Sequence, residues 1–204
     1  MGKEKYIRNI ERLFEKSPVI SSKTIERIIR SKNKKTQYQK QLIRNMILSG
    51  KIKRLSKGYY TIHDEPALAV FCFRPAYLGL QDALSFHNLW EQETIPVIIT
   101  ANTARPGIRK VLDANVMIRK IDKKYLFGFD YHEQGKQYLP YSDIEKTFID
   151  MIYFKEKLSH EAITNIKKKI DRKRLGSYLK HYPKAVQKRV MKGLSIHLKS
   201  LLPK

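Results

Sequence analysis

Three helical patterns followed by a hairpin pattern occupy residues 1–62, and this succession constrains the fold more than any other feature of the chain. Apolar residues recur at helical spacing over residues 3–15, and a second helical pattern begins at Ser22, whose hydroxyl can cap it. A third pattern runs over residues 36–49. It ends at Gly50, a residue type that commonly follows the last turn of a helix.

A β-hairpin is expected directly after the third helix. Residues 51–56 and 59–62 read as two strands, and Lys57-Gly58 between them reads as a turn. Three helices and a hairpin in about sixty residues predict a winged helix-turn-helix. The expected fold class is therefore α+β, with an N-terminal winged helix-turn-helix over residues 1–62, followed by a mixed α/β domain with a helical C-terminus over residues 63–204.

Basic charge is concentrated at the two ends of the chain. Residues 1–62 carry 17 Lys and Arg against four Glu, which gives +13, and residues 146–204 carry 16 against four acidic residues, which gives +12. Residues 64–145 carry nine basic and eleven acidic residues, which gives −2. Because the first basic zone coincides with a DNA-binding pattern, a polyanion is the expected partner.

The third helical pattern has one packing side and one polar side. Leu42, Ile43 and Met46 share a side with Tyr38 and Gln39, and this side is expected to pack on the first two helices. The other side carries long polar residues. In a major groove, Gln can form hydrogen bonds with adenine, and Arg or Lys can form them with guanine. An ordinary solvent-exposed helix face has the same composition, so this alternative stays open. The predicted base contacts are Gln37, Lys40, Gln41 and Arg44.

The turn before this helix and the hairpin after it add positive charge, which suits phosphate contacts that position the protein on DNA. The predicted phosphate contacts are Lys34, Lys35, Lys53, Arg54 and Lys57.

Arg105 and Arg109 flank Pro106-Gly107 in an expected exposed turn. An anion or partner contact and a simple solvated loop fit these two residues equally well.

The rest of the chain reads as a small mixed α/β unit. Residues 67–73 are apolar throughout and predict either a buried strand or a short helix. Ser142 and Glu145 have the spacing of a capping box that opens a helix. Further elements are expected as a helix over residues 80–89, strands over residues 96–100, 116–121 and 125–129, and additional helices up to a last one with Pro183 in its first turn.

Catalytic and metal-binding motifs are not evident, so no enzyme activity, cofactor or metal is expected. The single cysteine excludes an intramolecular disulfide, and the six histidines lack metal-ligand spacing. One alternative is a metal-dependent nuclease in which Asp113 and Asp122 hold Mg²⁺ and Lys124 assists the attacking water, although a turn between strands also explains these residues. The chain has no apolar run long enough to cross a bilayer and no signal peptide, which predicts a cytoplasmic protein.

Three segments resemble the AbiEi family of antitoxins. The third of them keeps Glu145, Lys146 and Asp150 at the positions of the charged residues in the family's segment. With the N-terminal part, the resemblance covers most of residues 1–155. The segments are PAYLGLQDALSFHNL at 75–89, VIITANTARP at 97–106 and LPYSDIEKTFIDMIY at 139–153.

This resemblance implies an intracellular antitoxin that represses its own operon through the winged helix and counters a nucleotidyltransferase-like toxin through its C-terminal part. The expected partners are therefore double-stranded operator DNA and the cognate toxin. Residues 167–204 lie outside the resemblance, and their basic charge suits a second DNA contact, an RNA contact or an acidic toxin surface. A free-standing transcriptional regulator is the other function that fits these features.

Overall fold

The N-terminal part of the protein packs three helices against a small antiparallel sheet. The computed structural model describes residues 2–30 and 36–195. The three strands lie in the order β1-β3-β2, so the first strand pairs with the second strand of the hairpin. The elements are α1 (Gly2–Lys16), β1 (Ile20–Ser21), α2 (Ser22–Arg30), α3 (Thr36–Leu48), β2 (Lys53–Ser56) and β3 (Tyr59–Thr61).

The helical periodicity of the sequence accounts for the core of this part. Ile10 of α1, Ile25 of α2 and Met46 of α3 are almost completely buried in one cluster, because residues three or four apart share a helix face. The cap of α2 differs from the prediction. The hydroxyl of Ser21, one residue earlier than expected, accepts a hydrogen bond from the Thr24 amide at 3.1 Å, because the chain leaves β1 and enters the helix at that residue.

A six-stranded mixed sheet forms the centre of the remaining chain. Its strand order is β6-β7-β5-β4-β9-β8, with β4 parallel to β9, β5 parallel to β7, and the other neighbours antiparallel. The strands are β4 (Ala76–Leu78), β5 (Val97–Thr100), β6 (Gly107–Val111), β7 (Ala114–Lys120), β8 (Phe129–Gln134) and β9 (Gln137–Ser142).

The two faces of this sheet are covered by different parts of the chain. Face one, which includes Ile98, is covered by a 3-10 helix over Pro66–Phe73, and Leu55 of the N-terminal hairpin joins the same cluster. Face two, which includes Ile99, is covered by helices. These helices are α4 (Leu80–Phe86), α5 (Ile144–Tyr153), α6 (His160–Lys169), α7 (Arg172–Leu179) and α8 (Lys184–Ser195).

Some predicted elements differ from the structure. The strand expected over residues 125–129 is wrong: a short 3-10 helix covers Lys123–Tyr125, and β8 begins only at Phe129. The Asp122 carboxylate accepts from the Lys124 amide at 3.2 Å and so favours a turn at this point. The apolar run over residues 67–73 is helical, which resolves the alternative left open by its composition.

The expected capping box at the start of α5 is also wrong. Asp143 caps this helix by accepting from the Lys146 amide at 2.7 Å, because Ser142 is still the last residue of β9. The Glu145 carboxylate accepts instead from the Asp171 amide at 2.7 Å, and it thereby connects α5 to the start of α7.

The architecture is a mixed α/β fold with its two sheets on either side of residue 62. The separation of residues 1–62 and 63–204 into two domains stays a prediction. Among the helices that the structure describes, none combines the length and the apolar character needed to cross a membrane.

Candidate nucleic-acid interface

Helix α3 presents a buried side to the N-terminal core and a polar side to solvent. Leu42, Ile43 and Met46 are buried, and the buried Gln39 side chain donates to the Ser22 carbonyl oxygen at 2.8 Å. This hydrogen bond fixes α3 against the start of α2. The four residues predicted to contact bases are all exposed, and they are Gln37, Lys40, Gln41 and Arg44.

Basic residues from α3 and the hairpin line one groove. Its volume is about 550 Å³. Lys40 and Arg44 reach it from α3, while Arg54 and Lys57 reach it from the hairpin, and Glu26 is the acidic residue among the lining groups. The groove therefore has a formal charge of +3. Cations supplied by two separate elements attract a polyanion that spans both of them.

The turn of the hairpin is attached to the start of α2. The Ser22 amide donates to the Gly58 carbonyl oxygen at 2.7 Å, and Gly58 has a φ of +78°. A Cβ atom at Gly58 would lie 3.1 Å from the Ser22 hydroxyl oxygen, so glycine suits both the conformation and the close approach. Because Gln39 bonds to the same Ser22, this residue fixes the hairpin turn and α3 relative to each other.

The other predicted phosphate contacts have different surroundings. Lys34 and Lys35 lie outside the described residues. Lys53 is partly buried, and its ammonium donates to the Asp64 carboxylate, which competes with phosphate for this cation. Arg54 and Lys57 are exposed, and neither takes part in an ion pair among the residues with described side chains.

Arg105 and Arg109 lie together at the edge of the larger sheet. A guanidinium nitrogen of Arg109 donates to the Arg105 carbonyl oxygen at 2.9 Å, and the guanidinium carbon lies 5.3 Å from the centre of the Phe73 ring. Strand β6, which contains Arg109, contacts β2 of the hairpin. Arg105 is exposed and precedes β6 in the chain.

The nuclease alternative requires carboxylates that lie close together, and the structure separates them. Asp113 precedes β7 and Asp122 follows it, and the seven residues of β7 span about 23 Å at the usual rise of a strand. The Lys124 ammonium lies 3.3 Å from the Asp122 carboxylate, and both side chains are exposed. In the part of the chain that the structure describes, no three His, Cys, Asp or Glu residues cluster as metal ligands.

Charged side chains on the buried side of α5 form a cluster that was not among the predicted site residues. Lys146 and Asp150 form a fully buried ion pair. The Tyr77 hydroxyl donates to Asp150 at 2.7 Å and accepts from the Lys146 ammonium at 2.8 Å. Burial lowers the pKa of Lys146 and raises the pKa of Asp150. In the sequence, the cluster was indicated only by two oppositely charged residues that lie four positions apart in an otherwise apolar helix. Because both side chains are fully buried, we interpret the pair as structural.

A second basic surface covers face two. The chain carries eleven Lys and Arg between His160 and Ser195, against two acidic residues, Glu161 and Asp171. Lys169 donates to the His87 carbonyl oxygen at 3.0 Å. Leu179 of α7 and Val190 of α8 point into the core, so most of the cations on these helices are exposed.

The hairpin and these basic helices contact opposite faces of the larger sheet.

Comparison with known proteins gives information about the fold alone. No protein-family model and no curated protein sequence matches this chain. Among solved structures, the chain is similar to the crystal structure of the RV2827C protein from Mycobacterium tuberculosis, with a TM-score of 0.60 and 11% sequence identity. The similarity covers 94% of this chain and 76% of that one. The arrangement of elements therefore recurs in another protein of very different sequence.

Proposed function

We propose that residues 1–62 form a winged helix-turn-helix that binds double-stranded DNA. The shared groove is the observation that carries this proposal, because Lys40 and Arg44 of α3 and Arg54 and Lys57 of the hairpin line it together. Helix-turn-helix proteins place a recognition helix in the major groove while neighbouring segments contact the DNA backbone. The groove charge and the polar side of α3 suit this arrangement.

Each exposed side chain then has a distinct role. Helix α3 has 13 residues and is about 20 Å long, which is enough to lie in a major groove about 12 Å wide. Arg54 and Lys57 bind phosphates, which position the protein without reading sequence. Arg105 and Arg109 extend the backbone contact beyond the hairpin. Base edges are read by Gln37, Lys40, Gln41 and Arg44.

The biological role that we propose is that of an antitoxin which represses its own operon and restrains a nucleotidyltransferase-like toxin. The resemblance to AbiEi antitoxins supports this role. The exposed cations of α6 to α8 suit an acidic surface on the toxin, and their position on face two leaves the DNA groove accessible. A nucleotidyltransferase gene directly beside this gene would distinguish an antitoxin from a free-standing regulator.

Fluorescence anisotropy with labelled DNA from the upstream region of the gene tests the DNA-binding proposal. We expect binding at least about 10³-fold tighter than to a scrambled duplex of equal length near physiological salt. Equal affinity for both duplexes at all salt concentrations would refute sequence-specific regulation and leave only electrostatic attraction.

Two kinds of variant separate positioning from sequence readout. Arg54→Ala should lower the slope of log affinity against log salt by about 0.9, because one phosphate contact is lost. Arg44→Ala should cost about 1 to 3 kcal/mol on the operator and relax the preference at one base pair. Lys188→Ala removes an exposed cation from α8 and is the matched control. If the slope of log affinity against log salt falls equally in the control and in Arg54→Ala, the groove is not the DNA contact surface.

Copurification with the product of an adjacent nucleotidyltransferase gene tests the toxin contact. Charge reversal at exposed Lys184, Lys188 and Lys192 should weaken the complex while operator affinity stays unchanged. An unaffected complex would show that the basic surface of α8 is not the toxin contact.

A further inference from the structure

Helix α3 ends in an apolar residue that stays in solvent. Leu48 is its last residue, and with a relative exposure of 75% it is the most exposed large apolar residue among the side chains that the structure describes. Leu42 and Met46 of the same helix are buried in the N-terminal core. Single exposed apolar residues are common on proteins, so the surroundings of Leu48 decide whether it has a role.

Leu48 lies on the side of α3 that is proposed to face DNA. Residues four apart in a helix point in directions that differ by only about 40°, so Leu48 lies one turn beyond Arg44 on the same side. Both residues line the groove shared with the hairpin, and Ile47 lines it as well. The groove therefore continues from its cations to an apolar end.

The charge around Leu48 selects the kind of partner that can cover it. The groove has a formal charge of +3, and residues 1–62 carry +13 in total. A second copy of the chain that docked through the same surface would bring two positive surfaces together, whereas DNA supplies the opposite charge. The apolar group that a DNA major groove presents is the 5-methyl group of thymine, which apolar side chains contact in direct readout.

We propose that Leu48 contacts the 5-methyl group of a thymine in the operator and thereby contributes to sequence specificity. This inference rests on the DNA-binding proposal and adds a specificity-determining residue to it. The polar residues of α3 read hydrogen-bond donors and acceptors, whereas Leu48 reads a methyl group. Because cytosine and uracil both lack this group, the contact favours thymine over either base.

The geometry of the helix locates this thymine relative to the base that Arg44 is proposed to read. Four residues advance the helix by about 6 Å, and successive bases of one DNA strand are about 3.4 Å apart along the duplex axis. The thymine should therefore lie within about two base pairs of the guanine that Arg44 contacts.

Replacement of thymine by deoxyuridine tests the contact, because it removes the 5-methyl group and keeps the hydrogen-bonding groups of the base. Each thymine of the upstream duplex is replaced in turn, and the affinity of the full-length protein is measured by fluorescence anisotropy. One replacement should weaken binding about fourfold, which corresponds to the burial of one methylene-sized group. It should lie close to the base pair at which Arg44→Ala relaxes the preference.

Two variants show whether Leu48 is the residue that contacts the methyl group. Leu48→Ala should bind the thymine and deoxyuridine duplexes equally well, because the truncated side chain no longer reaches the methyl group. Met191→Ala is the matched control, since it truncates another exposed apolar residue, on α8, and should keep the difference between the duplexes. Leu48 is exposed, so Leu48→Ala should unfold thermally at the same temperature as the unmodified protein.

The contrary outcomes separate this inference from the DNA-binding proposal. If no deoxyuridine duplex binds more weakly, or if Leu48→Ala keeps the difference, the thymine contact is refuted while DNA binding stands. If the protein does not prefer the upstream duplex at all, both proposals fail. Self-association that is measured by sedimentation without DNA and is lost in Leu48→Ala would instead assign Leu48 to an interface between copies of the chain, and would overturn the inference.

Discussion

Replacing Asp150 by Asn tests whether the buried ion pair beneath α5 stabilises the fold. The substitution keeps the size of the side chain and removes its charge. The Lys146 ammonium then stays fully buried with the Tyr77 hydroxyl at 2.8 Å and the ring centres of Tyr77, Phe127 and Tyr182 at 5.2 to 5.9 Å. None of these groups supplies a compensating negative charge.

The expected loss in the free energy of unfolding is about 3 to 5 kcal/mol, which is typical when one partner of a buried ion pair is removed. Burial lowers the pKa of Lys146, and once Asp150 is replaced only the charge of Asp143 opposes this effect, so the amine can lose its proton in the folded state. The unfolded chain then binds more protons than the folded one. The stability of Asp150→Asn should therefore rise as pH increases above neutrality, relative to the unmodified protein.

Urea unfolding followed by circular dichroism measures these differences. Glu11→Gln is the control, because Glu11 and Lys51 form an exposed pair at 2.8 Å whose loss should cost less than about 1 kcal/mol. The double variant Lys146→Met with Asp150→Leu should be much closer in stability to the unmodified protein than Asp150→Asn is. If Asp150→Asn costs no more than Glu11→Gln, the buried pair does not stabilise the fold in the way described.

Three further predictions concern single sites outside this cluster. Burial raises the pKa of Asp82 to about 7, so the unmodified protein should lose stability between pH 4 and pH 7, as its unfolded state releases this proton before its folded state does. Asp82→Asn has no such proton, so its free energy of unfolding relative to the unmodified protein should rise over this range by up to about 4 kcal/mol and then level off. Gly128→Ala should destabilise more than Gly135→Ala, because both have positive φ but only Gly128 would place a Cβ atom 2.9 Å from the Cβ atom of Lys146. Burial raises the pKa of the Cys72 thiol to about 12, so a thiol reagent should modify it only after unfolding.

Each of these three predictions has a definite contrary result. For Asp82, the sign follows from a folded-state pKa above the unfolded value, so a gain that does not change with pH would refute it. Equal destabilisation of the two glycine variants by thermal unfolding would show that the contact near Lys146 is absent. Rapid modification of Cys72 in the folded protein at neutral pH would show that the 3-10 helix over Pro66–Phe73 does not bury the thiol.

Local sequence patterns were sufficient to predict the N-terminal helices and the hairpin. Their apolar spacing places residues such as Ile10, Leu42 and Met46 on buried faces, and this follows from helix geometry without knowledge of the tertiary structure. The Lys57-Gly58 turn was equally evident, because glycine readily adopts the positive φ found at Gly58. The exposed side of α3 was therefore predictable residue by residue.

The candidate sites on the larger sheet were only partly predictable. The short strands β4, β6, β8 and β9 lack a strong periodic signal, and their pairing joins residues far apart in the chain, as in the parallel contact of Leu78 with Tyr141. Sequence spacing alone also suggested an acidic pair at Asp113 and Asp122, whereas strand β7 holds them apart. A pocket on face two, lined by Leu80, Trp90 and Arg119 among others, is formed by residues from distant segments of the chain, so no local motif indicates it.

The amino-acid sequence by itself determined the local elements and the distribution of charge along the chain, because both depend on residues close in sequence. Tertiary structure alone decided that the N-terminal hairpin and the basic helices α6 to α8 contact opposite faces of one sheet. It also decided that Lys146 and Asp150, whose residue types are rarely fully buried unless they are paired, form a fully buried ion pair. The physical reason is that burial and strand order result from packing between distant segments, and this packing overrides the preferences of individual residues.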